Sequence, residues 1–430
     1  MTTFVALSGD VDGMVNIGDW LLLVLRIKKS ADETDSYKEK FLAQFAEDPE
    51  IREQYIKDHV ALFHLLLGEV HAVLSLLDDA RTHGEVTMTV TTTESGQALE
   101  KEVRKTFAEI LKEVEEFFIV LMAMVATRFP SDEAAGVAAG DLVKVLRSST
   151  THAEMRLKLL KSLYNVFAPS FPYRFPIFVA VLEFAAETSQ FHLMLPYIRY
   201  LNEWMKDWNL SAPAKRQIFL LLVNQLKKLG KLDEAYPYLK RHIQFFQGEK
   251  AQVLAAAATV SAAVALAEDS IKLPDIIYFD SILELDAIKH LRETSYRPLV
   301  ELLDIFLKGG PQDLRRFHDS HSSTFSKHEL NYEDCMGKIR LLALTFLAAN
   351  VSELNLRDIE QALELNEYDA QELIVKAIGQ GLLDAKIDQM NKVLRVRSTM
   401  QREFTRNHWE LLEQKLRSWT ENVKSITSTS

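Results

Sequence analysis

Three histidines in the segment FHDSHSSTFSKHEL come closest to a catalytic or metal site: His318, His321 and His328. His318 and His321 stand three residues apart and would share one face of a helix, as zinc ligands can. A catalytic zinc site also needs a third ligand and a nearby acid or base. Serine and threonine surround these histidines, which is typical of an exposed linker between helices. We therefore predict no metal site here.

Motifs that carry catalysis are missing from the sequence. It has no phosphate-binding GxxxxGK[ST], no dinucleotide-binding GxGxxG, no GxSxG nucleophile elbow and no HExxH. We predict that the protein is not an enzyme, has no catalytic or cofactor-binding residues, and acts by binding.

Charge and cysteine content narrow the class of protein. The chain has 430 residues, enough for two or three domains, and its net charge is −11. An acidic chain is a poor general binder of nucleic acid, which needs concentrated lysine and arginine. The single cysteine, Cys335, excludes an intrachain disulfide and favours a reducing compartment.

The N-terminal residues and the apolar runs lead us to expect a cytoplasmic protein with no membrane contact. MTTFVALSGD lacks the basic region and apolar core of a signal peptide. The apolar runs at 117–127 and 253–267 are shorter than the roughly 20 residues that a membrane-spanning helix needs.

Hydrophobic periodicity predicts an all-α, solenoid-like helical-repeat protein. We expect an N-terminal helical region over 1–150 and a helical-repeat domain over 151–337. Ala214–Gly230 is typical, since its apolar residues form a single helical stripe. The run VTMTVTTT at Val86–Thr93 breaks this pattern. We interpret it as a Thr-rich loop near 86–97, because no partner strand is evident, and expect a helix from Ala98 to Arg128.

The last ninety residues have the element order of a winged-helix domain, over 338–404. Helices at Lys338–Ala349, Arg357–Leu365 and Asp369–Gly379 are predicted, with a short extended piece at Glu353–Leu356. The segment KIDQMNKVLRVR then alternates with period two on both sides of a polar break, which predicts a β-hairpin wing.

A long C-terminal helix and tail, over 405–430, is predicted to carry an apolar seam. Its large apolar residues are spaced 3, 4, 3 and 4 apart, as in the a and d positions of a coiled coil. These residues are Trp409, Leu412, Leu416, Trp419 and Val423. We expect the first four to be buried against another helix, either of this chain or of a neighbouring subunit.

The wing is the second predicted protein interface. The segment from Lys386 to Arg417 holds eight basic and four acidic residues, and Arg402 is one of the basic ones. The edge of a sheet can pair with another sheet, and flanking charges can select the partner. The residues that we assign to this interface are Lys386, Lys392, Val393, Arg395 and Arg397.

Binding of duplex DNA by the winged helix is a weaker alternative. The helix that would enter the groove, at 369–379, carries Asp369 and Glu372 against Lys376, so it would present more acid than base to phosphate. A weak direct contact between RNA and the basic wing stays open.

This layout resembles the PCI family, whose members are scaffold subunits of the proteasome lid, the signalosome and translation initiation factor three. CMGKIRLLALTFLA at Cys335–Ala348 resembles the helix that enters the family's winged helix. WMKDWNL at Trp204–Leu210 and KIDQ at Lys386–Gln389 resemble the initiation-factor branch. The similarity spans Met155–Val423.

The resemblance implies a non-catalytic scaffold subunit in a hetero-oligomer. Its partners would be other PCI subunits and subunits of metalloprotease-like fold in the same complex. It also implies binding to the small ribosomal subunit and recruitment of initiator tRNA and mRNA. A scaffold subunit of the proteasome lid or signalosome is the alternative, with a winged-helix regulator third.

Overall fold

The computed structural model describes residues 11–44, 58–94, 97–349, 351–402 and 406–428. The chain divides into two compact units, Met1–Leu210 and Ser211–Ser430. The predicted fold class is confirmed: the chain is mostly helical and has a small antiparallel sheet near its C-terminus.

In the residues that the structure describes, the N-terminal unit is helical apart from one β-hairpin. Its elements are α1 (Val11–Lys28), α2 (Ala31–Leu42), α3 (His59–Gly68), α4 (Val70–His83), β1 (Glu85–Glu94), β2 (Gln97–Thr106), α5 (Phe107–Thr127), α6 (Asp132–Arg147), α7 (Ala153–Val166), α8 (Arg174–Glu187), α9 (Leu195–Ile198) and α10 (Leu201–Asp207).

One stretch of the described residues, His59–His83, has the length and composition of a membrane-spanning helix. It comprises α3 and α4, which Glu69 separates with a non-helical backbone conformation. Phe63, Leu66 and Leu77 of this stretch are completely buried in the protein core. Helices in a protein core often have the same length and apolar composition. Packing in the core therefore accounts for the apolar character of α3 and α4.

The hairpin of β1 and β2 corrects the prediction of a Thr-rich loop near 86–97. Gln97–Thr106, expected to begin a helix, forms the partner strand, with Glu85 opposite Thr106 and Glu94 opposite Gln97. The segment QALEKEVRKT contains strong helix formers, which hid its strand character, but cross-strand pairing outweighs intrinsic propensity. Helix α5 begins only at Phe107, where Thr106 and Glu109 form a capping box.

The domain boundary expected after residue 150 falls between packed helices. Arg147 of α6 pairs with Glu183 and Glu187 of α8, at 2.7 and 2.8 Å. The Arg156 guanidinium donates to the carbonyl oxygen of Leu146 at 3.0 Å. Residues 148–152 are therefore a tight turn inside the N-terminal unit, and the division into compact units comes at Leu210.

The C-terminal unit contains helix pairs, then the winged helix and the terminal helix. Its elements are α11 (Ala212–Lys228), α12 (Leu232–Gln244), α13 (Ala251–Leu254), α14 (Ala257–Lys272), α15 (Asp280–Leu283), α16 (Asp286–Leu291), α17 (Arg297–Lys308), α18 (Pro311–Lys327), α19 (Tyr332–Ala348), β3 (Glu353–Asn355), α20 (Leu356–Leu363), α21 (Glu367–Gly379), β4 (Leu383–Asp388), β5 (Val393–Thr399) and α22 (Arg406–Ser428).

Helix α19 joins two hydrophobic cores within this unit. Cys335 and Ile339 lie in the core of the helical repeats. Leu344 and Ala348, further along the same helix, lie in the core of the winged helix. The boundary predicted at residue 338 therefore falls inside a continuous helix, and the two cores share that helix.

Buried and half-buried cations cap the carboxyl ends of several helices in this unit. The last carbonyl groups of a helix lack intrahelical donors and carry partial negative charge. A cation at that position donates hydrogen bonds to them and neutralises the charge. The pairs are Arg216 with Phe245 after α12, Lys338 with Ser270 and Leu273 at α14, Arg402 with Phe306 and Gly309 at α17, and Arg340 with Leu363 and Glu364 at α20.

Candidate protein-interaction surface

The predicted β-hairpin is present, and its two faces differ in burial. Strands β4 and β5 pair in antiparallel register, with Ile387 opposite Leu394 and Lys386 opposite Arg395. Leu383 and Leu394 are buried against α19, α20 and α21, in the winged-helix core. Lys386, Arg395 and Arg397 are exposed. The alternation in the sequence thus sets which residues reach the solvent.

Two tight turns hold the hairpin in place. Gly381, with φ of +71°, ends α21, and its amide donates to the carbonyl oxygen of Ile378 at 3.0 Å. A side chain would strain that left-handed backbone, so glycine fits there. In the turn between β4 and β5, a carboxylate oxygen of Asp388 accepts a hydrogen bond from the backbone amide of Asn391 at 3.1 Å, and the other accepts one from its side-chain amide at 2.9 Å. These hydrogen bonds lower the pKa of Asp388.

The strand order is β3–β5–β4, so β4 and not β5 offers a strand edge. Strand β5, which carries Val393, Arg395 and Arg397, is the central strand, with Arg395 opposite both Glu353 and Lys386. Among the described residues, β4 forms one edge of the sheet, and Lys386 is the assigned interface residue on it. Val393 is half-buried. The three assigned β5 residues can therefore contribute through their side chains rather than through a strand edge.

The basic wing is neutralised locally by acidic side chains. Arg395 lies 3.4 Å from Glu353 and 3.2 Å from Asp388, Arg397 lies 3.7 Å from Asp384, and Lys392 lies 2.9 Å from Glu367. Lys386 is the wing cation without an ion pair among the described residues. Four acidic groups thus pair with three of the four basic ones, which favours a protein partner over a phosphate backbone.

Arg402 does not belong to the exposed wing. Its guanidinium is buried and donates to the carbonyl oxygens of Phe306 at 2.6 Å and Gly309 at 3.0 Å, at the end of α17. Burial lowers the pKa of Arg402 to about 10. The sequence shows that residue 402 is an arginine near the wing; only the fold shows that it fastens the segment after β5 to the helical repeats.

The terminal helix α22 exposes its apolar stripe. Leu412, Leu416 and Trp419 are exposed, with 49% of Leu416 and 66% of Trp419 accessible to solvent, and Trp409 is exposed as well. The predicted burial of these residues is therefore not achieved within the described part of this chain. A stripe of large apolar side chains in water is costly, so its burial would need a contact outside the described part of this chain.

The winged helix exposes further apolar residues that periodicity did not single out. Tyr368 and Val375 stand two turns apart on the solvent face of α21, and Met390 is exposed at the hairpin turn. The sequence signal that could reveal Tyr368 and Val375 is their spacing of seven residues, which places both on the face of α21 opposite the one that packs in the core.

The three histidines do not converge on a metal site, and their placement in an exposed linker is wrong. His318 and His321 lie in α18, where their rings pack on Tyr332 and Phe317. His328 is buried, and its Nδ1 lies 2.7 Å from a Glu268 carboxylate oxygen. Within the described residues, no group of three or more His, Cys, Asp or Glu side chains is arranged to hold a metal ion.

Comparison with known proteins agrees with this geometry. The family model described as "PCI domain" matches residues 314–398, which run from α18 through the wing. The chain contains a PCI domain. This domain unites the end of the helical repeats with the winged helix around α19.

Curated relatives extend the similarity beyond the PCI domain. The chain is 27% identical over 318 residues to a protein of Dictyostelium discoideum named "Eukaryotic translation initiation factor 3 subunit M", covering 73% of this chain and 78% of that one. Proteins of the same name from Nematostella vectensis and Xenopus tropicalis are 26% and 24% identical, over 64% and 63% of this chain and 70% and 71% of theirs.

Proposed function

We propose that this chain is a non-catalytic scaffold subunit of translation initiation factor three. The PCI domain and the named relatives support this assignment. In this role the chain would help the complex to bind the small ribosomal subunit and to recruit initiator tRNA and mRNA. It would assemble with other PCI subunits and with subunits of metalloprotease-like fold, in the cytoplasm.

The exposed stripe of α22 is the observation that carries the scaffold role. Leu412, Leu416 and Trp419 follow the spacing of a helix that packs against other helices, yet they face solvent in this chain. Covering each large apolar side chain would contribute roughly 1.5–3 kcal/mol. We propose that helices of neighbouring subunits cover this stripe, and that the wing contacts a second neighbour.

Affinity purification with identification of the copurifying chains tests the assignment. We expect subunits of initiation factor three, and we expect the complex to co-sediment with small ribosomal subunits. Recovery of proteasome-lid or signalosome subunits instead would replace the proposal by its alternative, because those assemblies also use PCI subunits. Recovery of the chain alone, without partners, would contradict a scaffold role.

A matched pair of variants tests the part played by α22. Leu412→Asp with Leu416→Asp places two carboxylates in the stripe, whereas Gln414→Asp with Ser418→Asp adds the same charge to the exposed polar face. Two lost apolar contacts predict at least about a hundredfold weaker binding of partners for the first variant. The second should copurify as the unmodified chain does, and equal losses in both would rule out the stripe.

A further inference from the structure

The outward side of α21 carries a regular stripe of residues. Tyr368, Glu372, Val375 and Gly379 are spaced 4, 3 and 4 apart, so they follow one another along one side of the helix. We call these four residues the α21 face. All four are exposed, Tyr368 to 76% and Val375 to 60%. The opposite side of α21 packs in the winged-helix core, so the face is open to solvent over about 16 Å.

The turn of the wing hairpin adds a third exposed apolar side chain near the start of this face. Lys392, two residues after Met390, lies 2.9 Å from Glu367, the first residue of α21. That ion pair places the hairpin turn at the same end of α21 as Tyr368, and Met390 is 95% exposed. Single exposed apolar residues are common on protein surfaces, but tyrosine and methionine gathered at one place are typical of protein interfaces.

The surroundings of the α21 face are acidic. Residues 356–381, which comprise α20 and α21, hold six acidic and two basic residues, so their net charge is −4. Glu364 and Glu367 have cationic partners in Arg315 and Lys392. Glu372, in the middle of the face, has no ion-pair partner among the described residues. An acidic surface with exposed apolar side chains complements a basic, amphipathic partner and repels phosphate.

A second copy of this chain is a poor occupant of the face. If two α21 faces packed antiparallel, Glu372 would lie opposite Val375 or opposite Glu372 of the other copy. Either register buries a carboxylate without a cation, and burial of an unpaired charge is costly. The face therefore needs a partner that supplies its own positive charge.

We propose that the α21 face is a docking site for a basic amphipathic helix of a partner protein. That helix carries two large apolar residues about seven positions apart, with lysine or arginine between them. The apolar residues contact Tyr368 and Val375, and the cation between them pairs with Glu372. This surface is separate from α22, and the inference does not depend on the proposed function.

The spacing of the face explains why a helix suits it. Intervals of 4, 3 and 4 residues are those of the seam along which two helices pack side by side. At the end of the seam, a Cβ atom added to Gly379 would meet no heavy atom within 4 Å. Because glycine leaves this space open, a bulky side chain of the partner can lie against the end of α21.

Binding of synthetic helical peptides to the full-length chain tests the site. The fluorescent probe is an alanine-based peptide about 18 residues long, which is enough for a helix in water. It carries two leucines about seven positions apart with two lysines between them, and its control has glutamates in place of the lysines. We expect the lysine peptide to bind about tenfold more tightly in fluorescence anisotropy. Equal affinities would overturn the charge selection, and binding of neither peptide would overturn the site.

A matched pair of variants tests the apolar contacts. Tyr368→Ser with Val375→Ser removes the two exposed apolar side chains of the face. Tyr278→Ser with Val137→Ser makes the same changes at a tyrosine and a valine elsewhere, which are 52% and 60% exposed. We expect the first variant to bind the lysine peptide at least about tenfold more weakly, and the second to bind it within about twofold. Equal losses in both would contradict docking on α21.

Charge reversal at Glu372 tests the selection of a basic partner. Glu372→Lys should bind the glutamate peptide more tightly than the lysine peptide, because the charge that selects the partner has changed sign. Glu284→Lys makes the same change in net charge at an exposed residue outside α21 and should keep the original preference. A Glu372→Lys variant that still prefers the lysine peptide would refute the pairing with Glu372.

Photo-crosslinking to the unmodified chain keeps the test decisive if a variant misfolds. A lysine peptide with a diazirine analogue in place of one leucine should attach to α21 or to the hairpin turn at Met390. Attachment to α22, whose apolar stripe is also exposed, would overturn the proposal. Sedimentation of the chain alone provides the remaining check. A dimer that Tyr368→Ser with Val375→Ser abolishes would mean that a second copy covers the face, which also overturns it.

Discussion

At the scale of single residues, arginines that look alike in the sequence have different roles. Arg397 is 79% exposed at its side chain and lies 3.7 Å from Asp384 on the sheet surface. Arg402, five residues later, is buried and donates to carbonyl groups at the end of α17. An exposed ion pair contributes little to stability, whereas a buried donor that satisfies carbonyl groups contributes much more.

Substituting each arginine by methionine should separate these roles. Arg402→Met leaves the carbonyl oxygens of Phe306 and Gly309 without their donor, and we expect the free energy of unfolding to fall by about 2–3 kcal/mol. Arg397→Met should change it by less than about 0.5 kcal/mol. Urea unfolding followed by circular dichroism measures both. Equal effects would mean that Arg402 is not held as the structure shows.

Lys338 is a second buried cation, and it makes stability depend on pH. Its Nζ donates to the carbonyl oxygens of Ser270 at 2.7 Å and Leu273 at 2.6 Å, at the end of α14. Burial lowers the pKa of Lys338 to about 7. In the unfolded chain a lysine keeps its proton up to a pKa of about 10.4. Above pH 7 the unfolded state therefore binds more protons than the folded one, and stability rises with pH.

We expect this rise between about pH 7 and pH 9. The Lys338→Met variant has no ionisable group at this position. Its free energy of unfolding should therefore lack this rise over the same pH range. The measurement is the difference in urea midpoint between the two proteins at several pH values. A constant difference from pH 6.5 to 9 would show that Lys338 stays protonated in the fold. Cys335 is not expected to interfere there, because burial raises its pKa to about 12.

At the scale of elements, the wing combines a buried face with a charged one. Leu383 and Leu394 fix the sheet on the winged-helix core, so the charged face can change without loss of the fold. On that face the ion pairs of Arg395 and Arg397 are exposed and stabilise the chain only slightly. We propose that these exposed charges select a partner instead.

Reversing both charges should weaken assembly and leave the chain folded. We expect Arg395→Glu with Arg397→Glu to reduce copurification of partners at least about tenfold, with little change in the thermal unfolding midpoint. The control is Arg292→Glu with Arg297→Glu, which makes the same charge change and breaks two exposed pairs, with Asp304 and Glu301. Full retention of partners by the wing variant would remove the wing from the interface.

At the scale of the whole molecule, the position of the division between units can be measured. The junction at Leu210 and Ser211 follows Asn209, which has a positive φ, and neither Leu210 nor Ser211 lies in a helix or strand. Residues 148–152 are held more firmly, since Arg156 donates to the carbonyl oxygens of Thr151 and Leu146. Accessible, weakly bonded backbone is cut first by proteases.

Limited proteolysis should therefore cut the chain near Leu210 before it cuts at residues 148–152. Mass spectrometry of the early fragments identifies the sites. Faster cleavage at 148–152 would favour the boundary predicted from the sequence instead. An Arg156→Met variant, which loses the donor to the Thr151 carbonyl group, should become more sensitive at 148–152, and it serves as a positive control.

The sequence by itself determined the elements whose signal is local. The periodicity of Lys338–Gly379 predicted helices at α19, α20 and α21, and alternation predicted the β4–β5 hairpin, because burial of one face imposes that spacing. The stripe of α22 was predicted for the same reason. Strand β2 was missed, since its residues favour a helix and only pairing with β1 makes it a strand.

Tertiary structure alone decided which partner each side chain meets. That Arg402 caps α17, that Lys338 caps α14, and that β5 lies inside the sheet depend on residues far away in the chain. A local pattern reports which face of an element is buried. It does not report what covers that face, because the covering element is fixed by packing over the whole unit.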